Sequence, residues 1–223
     1  MLTFYYHPLS PIARRVWLAL LEKEIAFEPV VVDLRGKQFE ADFLALNPFH
    51  HVPVIVHDGV RILESLAILD YLELQFPQRS LLATGAIEVA RMRMVQMVVM
   101  NELMPKLVAC AIADEDHPIP ASTTEQIATC FRFLSQQLEG EGYFGGQDLN
   151  LADIVAGATV PLFVRLGISL RDYPALENWH QNIVQRSAWQ QTAPADEVLE
   201  VWRKWIKLQA ARKQQQMTRA QAA

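Results

Sequence analysis

A change of hydrophobic period near residue 80 constrains the fold of this chain more than any other feature. Before it, short strand-type runs alternate with short helical patterns; after it, every apolar segment repeats at helical spacing. Residues 2–6 form a brief strand-type run closed by His7-Pro8. Ser10-Pro11 then opens a helix: serine caps the first free N–H groups, and proline fills the first helical position, where its missing N–H costs nothing. Ile12, Val16 and Leu20 follow at i, i+4 and i+8. A second strand is expected at 27–32 and a short helix at 39–46, stopped by Asn47-Pro48. Residues 52–57 and 60–63 flank Asp58-Gly59, a pair suited to a two-residue type I′ hairpin turn. A helix over 65–76 closes the unit at Pro77, giving the order βαβ, then α, ββ, α. Past a linker at 78–85, helices are expected at 86–113 (bent near Pro105), 123–138, 151–166, 174–185 and 198–208. The chain therefore reads as a small α/β domain over 1–80, an all-helical domain over 86–208 and a mobile tail over 209–223.

Composition narrows the function classes. Half of the 223 residues are apolar (51%), enough for a core and incompatible with disorder. A net charge of −5 gives no electrostatic footprint for nucleic acid. The last 23 residues carry six basic and no acidic side chains, but from Gln209 onward no aromatic residue interleaves with them. Cys110 and Cys130 are too few for a disulfide scaffold and are expected to be buried small hydrophobes. The six histidines lack ligand spacing, so no metal is expected. The richest apolar run, 92–104, is interrupted by Arg93, Gln96, Asn101 and Glu102, so no membrane span is expected. The first residues lack the basic flank and long apolar run of a signal peptide, which points to the cytoplasm.

Three short motifs can carry chemistry. Ser10 lies where the positive end of a helix dipole and unpaired N–H groups stabilise an anion; a sulfur held there shifts toward thiolate, the reactive form of a thiol whose free pKa is about 8.5. At His51-Val52-Pro53-Val54 a proline opens a strand; a cis Val52–Pro53 bond would turn the Val52 backbone out to pair with an extended peptide. Ser65, as a helix cap after Glu64, would offer its hydroxyl and the following amides to a carboxylate, with Glu64 facing an ammonium group. Singly, each has an ordinary structural explanation: a cap, an edge proline, a solvated acid. Together they match a thiol, a peptide backbone and an α-amino acid head group, the parts of γ-glutamyl-cysteinyl-glycine.

The order Ser-Pro-x-x-Arg-Arg-Val, Asn47-Pro48-x-x-x-Val52-Pro53-Val54, Asp58-Gly59 and Glu64-Ser65-x-x-Ile68-x-x-Tyr71-Leu72 resembles the thioredoxin-fold domain of cytosolic glutathione transferases. Tyr143-x-x-Gly146-x-x-x-Asn150-Leu151-Ala152-Asp153-Ile154 resembles their helix-capping motif, and Tyr173-Pro174-x-Leu176-x-x-Trp179 their late helix. The resemblance implies a thioredoxin-like α/β domain followed by an all-α domain, glutathione as co-substrate and a homodimer. It implies Ser10 as hydrogen-bond donor to the glutathione thiolate, Val52 with Pro53 for the cysteinyl backbone, Glu64 and Ser65 for the γ-glutamyl group, and His51 and Gln38 near the glycyl carboxylate. Asn150 stands in for a capping Ser or Thr, and Asp153 is expected to serve folding. Both positions of a Cys-Pro-x-Cys redox turn are changed, to Ser10 and Ala13, leaving dithiol chemistry without a nucleophile. Of Tyr5 and Tyr6, one is expected in the core and the other near the site, with Ser10 ahead of both.

The function implied is conjugation of the glutathione thiolate to small apolar electrophiles, isothiocyanates among them, in detoxification by a serine-type, chi-like bacterial class. Leu9, Ile12, Met97 and Met100 are the candidates for the electrophile site, since soft methionines suit a permissive apolar pocket. Two other functions fit the same motifs: a glutathione-dependent isomerase, disfavoured by the single serine of Leu9-Ser10-Pro11, and a non-catalytic glutathione- or ligand-binding module.

Overall fold

The computed structural model describes residues 1–138 and 142–221, with side chains through Arg212. Strand β1 (Leu2–Tyr6), helix α1 (Pro11–Glu22) and strand β2 (Glu28–Val31) form a parallel βαβ unit. Helix α2 (Ala41–Leu46) follows, then the hairpin β3 (Val54–His57) and β4 (Val60–Leu63), and helix α3 (Ser65–Gln75). The sheet order is β2-β1-β3-β4, with β3 antiparallel to β1 in the register Phe4↔Ile55. Asp58 (φ 48°) and Gly59 (φ 81°) are both left-handed, as a type I′ turn requires. Alternation along β1 buries Leu2, Phe4 and Tyr6, and Phe4 stacks on Tyr6 at 4.8 Å between ring centroids.

The helical half comprises α4 (Ala86–Val98), α5 (Leu107–Ile112), α6 (Ala121–Leu138), α7 (Leu151–Arg165), α8 (Pro174–Val184), α9 (Ser187–Thr192) and α10 (Asp196–Gln221). The bend expected near Pro105 is realised as a π-turn over Val99–Leu103 and a 3₁₀ turn over Met104–Lys106. Proline removes one donor from the helical ladder, and the ladder is re-satisfied by changing its pitch. Taken whole, Ala86–Ile112 is long and apolar enough to cross a bilayer by length and composition. Here Met92, Val95, Val99 and Leu103 are buried, and the run packs against α7.

Helix α7 is the centre of the molecule, buried from Leu151 to Phe163. Its capping box is complete: Asn150 Oδ1 accepts from the Ala152 amide at 2.7 Å, and Asp153 Oδ2 accepts from the Asn150 amide at 2.9 Å. Asp153 Oδ1 also accepts from the Phe144 amide and from Trp179 Nε1 at 2.8 Å, tying loop and α8 to the cap. Burial raises its carboxyl to about 6, against these hydrogen bonds, which favour the carboxylate. Within the α/β half, the end of α1 is joined to α3 by the buried Lys23–Glu73 pair (2.9 Å), whose carboxylate also accepts from Ser80 and the Leu81 amide and so holds the start of the linker. Helix α9, absent from the sequence reading, seats Trp189 against Gly157, where a Cβ would lie 2.7 Å from the indole. Helix α10 continues from the expected 198–208 to Gln221, so the segment assigned as a tail is helical through that residue.

Candidate functional site

A cavity of about 790 Å³ lies between the α/β half, the π-turn and α10. Three turns build one side of it. At the first, Ser10 caps α1 and its Oγ accepts from the Ala13 amide at 3.2 Å. A hydroxyl has a proton to give as well as lone pairs to offer, so this capping bond leaves its hydrogen free to donate into the cavity. At the second, the Val52–Pro53 bond is cis, immediately before β3. The approach to it is braced by buried Asn47, whose Nδ2 donates to the His51 carbonyl at 2.8 Å and whose Oδ1 accepts from the Phe49 amide at 3.0 Å. At the third, Glu64 holds φ 64° and occupies the cap position of α3 without a side-chain capping bond. Ser65 is therefore the first residue of the helix rather than its cap, a correction of one position. The first-turn amides of α3 are left without side-chain partners, facing where an anion would bind.

Of the residues selected from sequence, Ser10, Ile12, Gln38, His51, Val52, Pro53, Glu64, Ser65 and Met100 all line this cavity. Gln38 is already engaged: Oε1 accepts from the Gly36 amide (3.0 Å) and Nε2 donates to the Leu34 carbonyl (2.7 Å). It pins the loop that carries Arg35, and its second amide hydrogen is the one donor it keeps for a ligand. Leu9 lines instead a neighbouring 190 Å³ cavity with His7, Val201 and Trp202, joined to the first through Ser10, Leu34, Arg35 and Trp205. Met97 lines neither and is 42% exposed. It precedes Met100 by three residues, which on a helix of 3.6 residues per turn points the two side chains about 60° apart. Neither tyrosine of β1 lines the site; burial raises the Tyr6 hydroxyl, which keeps it a protonated core group.

Sequence reasoning missed Arg35, His50, Trp205, Leu208, Gln209 and Arg212. The last four were legible as an i, i+3, i+4, i+7 stripe, had the helix been carried past 208. Among the described residues that line the cavity, Glu64 is the one acid, against the cations Arg35 and Arg212. The site thus favours an anionic ligand locally, although the chain is acidic overall.

Residues 4–80 match the family model described as glutathione S-transferase, N-terminal domain, and 99–187 match the corresponding C-terminal domain. A glutathione S-transferase 1 of Dianthus caryophyllus is 30% identical over 183 residues, 78% of this chain and 83% of that protein. The chain belongs to the glutathione transferase family. A maleylacetoacetate isomerase of Rattus norvegicus is 28% identical over 197 residues, 85% of this chain and 91% of that protein. Among solved structures, a glutathione transferase homologue from Sulfitobacter, with bound glutathione, superposes with TM-score 0.73 at 26% identity, covering 86% of this chain and 96% of that one. As a transferase of this family the protein uses glutathione, and the cavity suits that tripeptide. A free hydroxyl hydrogen lies at one helix start, the cavity-lining Val52 at the cis-proline, and open amides beside an acid at the second helix start.

Proposed function

We propose that this chain is a serine-type glutathione transferase, of a chi-like bacterial class, in which Ser10 holds the glutathione sulfur as thiolate. The carrying observation is the Ser10 hydroxyl: its oxygen is fixed by the Ala13 amide, its hydrogen is uncommitted, and it lines the cavity at the N-terminus of α1. The thiol loses its proton to water, and donation from Ser10 together with the helix dipole stabilises the sulfur anion that remains. That anion then attacks the electrophile. With an isothiocyanate the S–C bond forms at the central carbon, and the nitrogen takes up a proton to give a dithiocarbamate. Val52 would pair with the cysteinyl backbone. Glu64 and the amides of Ser65 and its successors would hold the γ-glutamyl ammonium and carboxylate, with His51 and Arg35 at the glycyl end. The enzyme would act as a cytoplasmic homodimer in detoxification of small apolar electrophiles.

Ser10→Ala is the direct test. A single well-placed donor to a developing anion is worth about 10²–10³ in rate, so kcat/KM for conjugation should fall by about a hundredfold while glutathione affinity changes little. Unchanged turnover would sink the role given to Ser10. The maleylacetoacetate isomerases of rat and mouse among the relatives favour a second reading, in which the same thiolate adds to a double bond and later leaves. A panel containing both an isothiocyanate and a maleylacetoacetate analogue separates them: net conjugate supports the first, isomerised product with no glutathione consumed supports the second.

A further inference from the structure

Glutathione binding leaves one buried group of α1 unexplained. Arg14 and Arg15 are adjacent and both buried, but only Arg14 is matched: Nε donates to Thr192 Oγ1 at 3.0 Å and Nη2 to the Trp189 carbonyl at 3.2 Å. Arg15 is fully buried, and its Nη1 reaches only the thioether sulfur of Met100, a weak acceptor. Its Nε and Nη2 have no partner among the described residues. Burial pulls the guanidinium down to about 10, so it stays charged at neutral pH. The acids on α3 and α7, which pack against α1, are committed elsewhere: Asp70 to Arg93, Glu73 to Lys23, and Asp153 to the α7 cap and Trp179. A buried cation with unmet donors is among the costliest arrangements a fold can keep, and an anion is what relieves it.

Its location says where that anion would come from. Arg15 lies three residues beyond Ile12, on the same face of α1, and both Ile12 and Met100 line the cavity. Met100 stands between the guanidinium and the cavity, and its unbranched thioether changes rotamer easily. The same wall carries Trp205 and Leu208, with Arg212 one turn further along α10. Resting on the transferase reading above, we propose that the electrophile this site takes is an aromatic compound bearing a carboxylate. Its ring would lie on Trp205 and Leu208, and its carboxylate would replace the Met100 sulfur at Arg15, with Arg212 adding a second positive charge. In the reaction the glutathione sulfur bonds to the ring carbon, the carbon–halogen bond breaks, halide leaves, and the thiol proton goes to water.

A matched pair of substrates tests this: 4-chloro-3,5-dinitrobenzoate and its methyl ester share a reacting carbon and a leaving group and differ in charge. With each rate divided by its uncatalysed rate, kcat/KM should favour the acid by about tenfold, because a site built for a polar group discriminates against the analogue lacking it. In Arg15→Met that ratio should fall to about one. The substitution replaces an unpaired buried charge with an apolar chain, a change that tends to be neutral or stabilising, and a melting curve checks folding. Binding of the unreactive 3,5-dinitrobenzoate and its methyl ester, read by quenching of tryptophan fluorescence, needs no turnover. Acid preferred over ester in the parent and not in Arg15→Met supports the carboxylate subsite, even if neither chlorobenzoate is conjugated and the transferase reading fails. Equal binding of acid and ester by the parent, or an acid preference that survives in Arg15→Met, overturns it.

Discussion

Residues 10–65 hold their side of the cavity with backbone and caps, whereas Met100 and α10 hold theirs with side chains. On the first side the working groups are a helix-capping hydroxyl, the Val52 backbone beside a cis-proline and the open amides of α3 after Glu64. These depend on chain direction and on a few residue types that set it. On the second side Met100, Trp205, Leu208 and Arg212 present no common backbone geometry, and what they recognise is a matter of shape and charge. A constant ligand suits the first kind of wall and a variable one suits the second. On the proposed function, the cavity divides between a wall for a fixed tripeptide and a wall open to change.

Substitutions can break that division, and the largest effect is expected where both walls share a support. Asp153 anchors the α7 cap, a loop and α8, and in Asp153→Ala two buried N–H donors and one half-buried donor lose their acceptor, at about 1–3 kcal/mol for each buried one. Denaturant unfolding should show a loss of about 3 kcal/mol or more, with turnover per folded molecule unchanged; selective loss of one substrate's binding would place Asp153 on one wall. Its pH signature has a definite sign. The folded carboxyl is held at about 6, above the roughly 3.9 of an unfolded aspartate, so the folded state binds the proton more tightly. This group's contribution is full below about pH 4 and is lost as pH rises through 6. Unfolding free energies across that window should lose the corresponding slope in Asp153→Asn.

Glu64→Gln removes the charge expected to meet the γ-glutamyl ammonium and should weaken glutathione about tenfold by calorimetry, leaving electrophile KM alone. Trp205→Ala should do the reverse, raising electrophile KM several-fold to tenfold through lost apolar contact, with glutathione affinity held. If either variant moved both constants equally, the two walls would be one. Arg35→Gln is the smallest expected effect, a few-fold in glutathione affinity, because the exposed side chain is screened by water.

The same division decided what the sequence disclosed. Ser10-Pro11, Asn47-Pro48, Val52-Pro53 and Glu64-Ser65 were legible because caps, turns and prolines act over a few neighbouring residues. The βαβ order and the hairpin came through for the same reason, with Asp58-Gly59 supplying both left-handed residues. Ser65 was misplaced by one position because Glu64 takes a left-handed φ that local propensity disfavours for glutamate. Met97 was grouped with Met100 as part of one methionine stripe, but residues three apart on a helix point about 60° apart, and only Met100 lines the cavity. Helix α9 is six residues long and carries no pattern of its own; what fixes it is the fit of Trp189 against Gly157, a distant contact. Arg212 joins Trp205 and Leu208 at the cavity because α10 runs on past the expected end at 208.

The central claim is that the first wall makes a thiolate through Ser10, and the ultraviolet absorbance of the bound glutathione thiolate, titrated against pH, tests it most directly. In the parent protein the bound thiol should ionise well below the free value of about 8.5, and in Ser10→Ala its midpoint should return toward that value. An identical midpoint in parent and variant would contradict the account and leave Ser10 as a helix cap alone.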